Sequence, residues 1–190
     1  MLERLEYAEE VKASWETVVL LHGAASHSGQ WRSLIDRLRG DYRIIAFNQF
    51  GYGRSPRWNA DQAMTFADQA QPIIDSLKVE HRPFHLVGHS HGGSIAALIA
   101  SRVPERIKTL SVYEPNAFGI LKCDSSSDVL PLAEIRAQFG DLEEHRSNIE
   151  RYPLFAEELL NFWLGAGEWS RLPVRLREQL IAMMEPTIGE

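Results

Sequence analysis

Gly88-His89-Ser90-His91-Gly92 sets a serine between two glycines, directly after the apolar run Phe84-His85-Leu86-Val87 and just before a helical pattern. A serine raised at a sharp strand-to-helix turn can attack a carbonyl carbon, and small neighbours permit the strained backbone that such a turn needs. The helix that follows would direct its positive dipole end at the point where an oxyanion develops. The competing use of the same residue is a helix N-cap with no chemistry. Upstream, Leu20-Leu21-His22-Gly23-Ala24-Ala25-Ser26 breaks a second apolar run with a glycine. A tetrahedral intermediate needs two backbone N–H donors, and the residues in position to supply them are His91, after the serine, and Ala24, after the Gly23 turn. The competing use of that stretch is an ordinary strand-to-helix loop.

The elements that must hold these residues follow from periodicity. Strand-type runs at Glu16–Leu21, Tyr42–Phe47, Phe84–Val87 and Ile107–Tyr113 alternate with helical patterns. The helical faces are Trp31/Leu34/Ile35/Leu38, then Phe66/Ala70/Ile73/Ile74/Leu77, then Ile95/Leu98/Ile99/Val103. Strands separated by helices call for an α/β fold with a mostly parallel sheet covered on both faces. Arg4–Tyr7 reads as a weaker edge strand. After Pro115 the pattern turns helical, which divides the chain into a core over 1–115 and a helical cap over 116–190. Cys123–Asp128 reads as a linker and Ser127–Phe139 as a capped helix. Within Leu154–Trp169 a further helix carries Leu159, Phe162 and Trp163 on its apolar face and is ended by Gly165 and Gly167, and Pro173–Met184 reads as the last.

Composition narrows the functional classes. The 190 residues carry a net charge of −6 and no basic run, so neither nucleic acid nor a membrane is an expected partner. Cys123 is the single cysteine, which excludes an internal disulfide and fits a reducing, cytoplasmic compartment. The charged N-terminus is not that of a signal peptide, and no apolar run is long enough to span a bilayer.

VVLLHGAASHSGQW, FNQFGYGRSP and LVGHSHGGSIA together resemble the α/β-hydrolase fold superfamily, and more narrowly its esterase-like branch with an inserted helical cap. The resemblance implies Ser90 as nucleophile, Ala24 and His91 as oxyanion donors, and 116–190 as cap. Members of this fold that open epoxides or remove halides place an aspartate at the elbow. A serine there implies acyl chemistry on a small-molecule carbonyl substrate, with no cofactor and no metal. Phe162 and Trp163 are candidates for lining the substrate pocket.

A serine needs a base. In this fold the triad runs nucleophile, acid, histidine along the chain, yet the sequence up to Glu190 offers no strand ending in aspartate with a histidine after it. The base is therefore expected beyond Glu190. His145 falls in the cap, His91 opens a helix, and His89 is expected to point to the core. His22 is expected to be structural, His27 a loop histidine and His85 a satisfied core residue. Glu114, at the end of Ile107–Tyr113, is the candidate acid; the plainer use of that position is a polar strand end. GYGRSP (Gly51–Pro56) lacks the third glycine of a dinucleotide loop and reads as a tight surface turn. With no strand expected after Tyr113, that strand becomes an apolar sheet edge, to be covered either by the cap folding across it or by a partner such as a second copy in a homo-oligomer.

Overall fold

The computed structural model describes residues 1–8, 15–58, 64–116, 133, 137 and 148–184. They fall into two compact units, one over 1–116 and the other within 117–189. The expected linker at Cys123–Asp128, nearly all of the expected helix Ser127–Phe139, and His145 lie outside the described residues.

The first unit is a five-stranded sheet. β1 (Glu3–Tyr7), β2 (Glu16–Leu21), β3 (Tyr42–Asn48), β4 (Phe84–His89) and β5 (Ile107–Tyr113) lie in the order β1-β3-β2-β4-β5. Four strands run parallel, and β1 closes one edge antiparallel to β3. The helices are α1 (Arg32–Leu38), α2 (Phe66–Ser76) and α3 (His91–Arg102).

Alternation along the strands builds two cores. Val19, Leu21, Ile45, Phe47 and Leu86 point to one face, where Ala70 and Ile73 of α2 and Ile95, Ala96 and Ile99 of α3 cover them. Val18, Leu20, Ile44 and Ala46 point to the other, against Ile35 of α1. Strands buried on both sides read as continuous apolar runs, which is why β2 and β3 were plain in the sequence. Glu80 ties the layers together at the other end of the sheet. Its side chain is 8% exposed and meets Arg4 at 2.5 Å and also Arg43, so β1 and β3 are clamped to the turn after α2.

β5 departs from this pattern. It is the open edge of the sheet, and every residue from Lys108 to Tyr113 is exposed.

In the second unit the described helices are α4 (Tyr152–Leu164), α5 (Glu168–Arg171) and α6 (Val174–Ala182). α4 buries Tyr152, Phe155 and Ala156, and Trp169 and Met184 are buried as well. The helical spacing of the first three continues to Leu159 and Phe162, but burial stops after the first turns of α4. Phe162 and Trp163 are exposed and pack edge to face on each other, with ring centroids 5.0 Å apart. The chain then leaves the helix at Gly165, whose φ of 112° suits glycine. Among the described residues, no helix is long and apolar enough to cross a membrane.

Candidate active site

Ser90 stands between the end of β4 and the first turn of α3, with φ 51° and ψ −121°. Positive φ is costly for a side chain with a Cβ, so neighbouring contacts must enforce it. The Ser90 amide donates to the Tyr113 carbonyl at 2.9 Å, and the Ser90 carbonyl accepts from Gly93 at 2.8 Å and Ser94 at 3.1 Å.

The flanking glycines are required by space. A Cβ on Gly88 would lie 2.4 Å from the Gly92 carbonyl oxygen, and one on Gly92 would lie 2.3 Å from that of His22. Backbone cannot yield to such contacts as a side chain can. The turn is drawn that tightly so that α3 can pack on β4 and on the end of β2. As a result Ser90 is half-exposed at the carboxyl ends of the parallel strands, where ligands of open α/β sheets bind.

The loop after β2 is held by a buried histidine. His22 Nδ1–H donates to the Gly23 carbonyl at 2.8 Å, and Nε2 accepts from the Gln49 amide at 3.1 Å. Since an amide N–H can only donate, these partners fix the tautomer. The Gln49 side chain returns a hydrogen bond to the His22 carbonyl at 2.7 Å, and the imidazole meets the Tyr52 ring edge to face at 5.0 Å. Burial holds His22 neutral, with its pKa lowered to about 4. Its expected structural role is what the geometry shows.

Further along the loop, the Gly23 amide donates to Gln30 Oε1 at 3.1 Å and the Ala25 amide to the Tyr52 hydroxyl at 3.0 Å. Between these two tied amides, that of Ala24 meets no acceptor among the described residues. Ala25 adopts φ 50°. Sequence reading placed Tyr52 in a tight surface turn. Gly51 and Gly53 do form that turn, at φ 79° and 57°, but the tyrosine between them is buried and braces the loop. Only the apolar bulk of an aromatic between two glycines could have hinted at this.

No histidine serves Ser90 among the described residues, and no side chain there accepts a hydrogen bond from its Oγ. The His91 ring is buried and turned toward α2, where the Gln69 carboxamide donates to its Nε2 at 2.6 Å. Desolvation lowers its pKa to about 3. His89 is half-buried, stacked on Tyr113 with centroids 5.5 Å apart, rather than pointing into the core. It takes the side of β4 opposite to the buried Leu86, so the strand's alternation carries it out. His27 is exposed and caps the turn at Ser28–Trp31 by accepting from Gly29 at 3.0 Å. His85 contacts Thr109 Oγ1 at 2.7 Å and Glu16 Oε2 at 2.8 Å, satisfied but only partly buried. Glu114 follows β5 at φ 46°, exposed. With Ala25 and Ser90 it completes a set of three non-glycine residues at positive φ, each just beyond the carboxyl end of β2, β4 or β5.

The comparisons agree with this architecture. Residues 16–162 match the family model for the α/β hydrolase fold, and the chain belongs to that family. The protein named "Probable lysophospholipase BODYGUARD 2" of Arabidopsis thaliana is 31% identical over 126 residues, covering 63% of this chain and 26% of that protein. The monoacylglycerol lipase ABHD6 of Rattus norvegicus is 28% identical over 102 residues, covering 52% of this chain and 30% of that protein. The chain thus spans less than a third of the length of these two curated relatives. Among solved structures, the α/β hydrolase MGS-M2 from a Medee basin deep-sea metagenome library superposes with TM-score 0.70 and 15% identity. That superposition covers 98% of this chain and 64% of MGS-M2, a likeness of fold.

Proposed function

We propose that Ser90 is the nucleophile of a serine hydrolase acting on a carboxylic ester or a related small-molecule carbonyl. Ser90 Oγ bonds to the acyl carbon as the carbonyl π pair moves onto oxygen, and the amides of Ala24 and His91 receive that oxyanion. The intermediate collapses to an acyl-enzyme, expelling the alcohol, which takes up the proton that left Ser90. Water then repeats the sequence and releases the acid. The observation that carries this reading is the strained backbone of Ser90, a non-glycine at φ 51° held between two glycines that have no room for a Cβ. Strain of this kind costs about 1–3 kcal/mol and persists where the surrounding structure enforces it.

The reading gives Glu114 the role of acid, on its place at the end of the strand beside β4. It requires an imidazole from outside the described residues as base. Phe162 and Trp163, exposed and apolar, are assigned to substrate lining. The names of the two lipolytic relatives favour an ester among the possible carbonyls.

A fluorophosphonate probe on the folded protein tests the assignment. The expected result is stoichiometric label on Ser90, lost in Ser90→Ala together with hydrolysis of p-nitrophenyl butyrate. A second reading is a non-catalytic ligand-binding module. Folded protein that takes no label ends the first reading and leaves the second standing.

A further inference from the structure

We propose that Gln69 is a positioning residue for the oxyanion-binding amide of His91, acting through the His91 side chain. The proposal rests on the reading of Ser90 as nucleophile. His91 is the first residue of α3, so its amide belongs to the peptide that leaves Ser90, and its ring reaches across to α2. That ring is enclosed on α2. The Gln69 carboxamide donates to Nε2 at 2.6 Å, and the Phe66 ring lies 5.1 Å from the imidazole, tilted by 32°. Both members of the pair are 1% exposed.

Gln69 is buried in the first turn of α2, where a polar group is costly unless it is bonded; its Oε1 has no hydrogen-bond partner among the described residues, and its Nε2 bonds to the residue next to the nucleophile. The first turn of α2 is itself locked. Thr65 Oγ1 accepts from the Asp68 amide at 3.2 Å, and Asp68 Oδ2 accepts from the Thr65 amide at 2.9 Å, a reciprocal capping box. Gln69 therefore extends from a fixed turn. On the opposite side, Gly92 rests on the carbonyls of Leu21 and His22, where a Cβ would stand 2.5 and 2.3 Å away. The peptide that carries the His91 amide is held between the end of β2 and α2, and the hydrogen bond to Gln69 is its polar fixing. The Gln69 amide nitrogen can only donate, so His91 Nε2 accepts, in the neutral imidazole that burial favours.

Removing one oxyanion donor from a hydrolase costs on the order of 10²–10³ in rate, and misplacing it costs a part of that. Gln69→Met keeps the length and bulk of the side chain and removes the amide. The measurement is the second-order rate constant for fluorophosphonate labelling of Ser90, taken at a temperature where near-UV circular dichroism shows the variant fully folded. We expect a fall of about tenfold or more, with recovery to near the wild-type rate in the exchanged pair Gln69→His/His91→Gln. A role in filling the core alone would lower the melting temperature and leave the labelling rate of folded protein unchanged, and that result overturns the proposal. If Gln69→Met does not fold, the exchanged pair decides, since a folded pair that labels slowly also overturns it. Wild-type protein that takes no label overturns the reading of Ser90 and this proposal with it, whereas equal labelling of wild type and Gln69→Met overturns this proposal alone.

Discussion

A Cβ on Gly23 would stand 3.3 Å from the Cβ of Ser90 and 2.7 Å from His89 Nδ1, so the loop after β2 and the Ser90 turn touch with no side chain between them. That contact predicts unequal effects from similar substitutions. In Gly23→Ala the new methyl meets side chains, which can shift. This variant is expected to fold and to label at Ser90 several-fold more slowly. In Gly92→Ala the methyl meets the His22 carbonyl oxygen at 2.3 Å, and about 3 kcal/mol or more of stability is expected to be lost. Urea unfolding followed by labelling measures both, and equal stability of the two variants would count against the packing described.

The positive φ of Ser90 predicts an inverted glycine effect. Glycine normally weakens an element interior by about 0.5–1 kcal/mol relative to alanine. Here Ser90→Gly releases the backbone strain and Ser90→Ala keeps it, so the glycine variant is expected to be the more stable by about 1 kcal/mol. Both lose the label. Denaturant midpoints of the two side by side provide the test, and a more stable alanine variant would contradict the strain.

His22 and His91 predict the acid limb of the stability curve. Both have pKa values lowered by burial, from 6.5 to about 4 and about 3. Between those values and 6.5 the unfolded chain binds more protons than the folded one. Stability is therefore full above pH 6.5 and falls as the pH drops through this window, by up to about 1.4 kcal/mol per pH unit for each histidine. Glu3, lowered to about 2 mainly by hydrogen bonds from Arg54, extends the loss below pH 4.5. Urea titrations from pH 8 to pH 4 are expected to show this slope, shallower in His22→Gln. A flat profile would mean that neither histidine is buried neutral.

The exposed edge of β5 predicts self-association. Leu110 and Val112 leave about two fifths of their surface in water on a strand that has no partner on its outer side among the described residues, an arrangement that templates further pairing. Sedimentation velocity is expected to show concentration-dependent species larger than the monomer, reduced in Val112→Lys. A monomer at all concentrations would show that the edge is inert.

Which of these features the sequence disclosed depends on how local their cause is. The parallel strands were legible because each is a short apolar run, and the Ser90 turn because its glycines are adjacent in sequence. Even β1 showed, as Arg4–Tyr7. The fastening of the site did not show. Gln69 and His91 are 22 positions apart, and Arg4 and Glu80 are 76 apart, distances over which no periodicity operates. A glutamine amid the apolar stripe of α2 was the one available sign of the first pair. Phe162 and Trp163 followed the helical spacing faithfully, yet spacing assigns a face without saying how far along it burial extends.

Leu21–Gly23, Gly88–Ser94 and Tyr113–Pro115 border the corner around Ser90, all within the first unit. On the proposed reading, Ser90 and the two amides that would receive the oxyanion, those of Ala24 and His91, therefore fold within one compact unit.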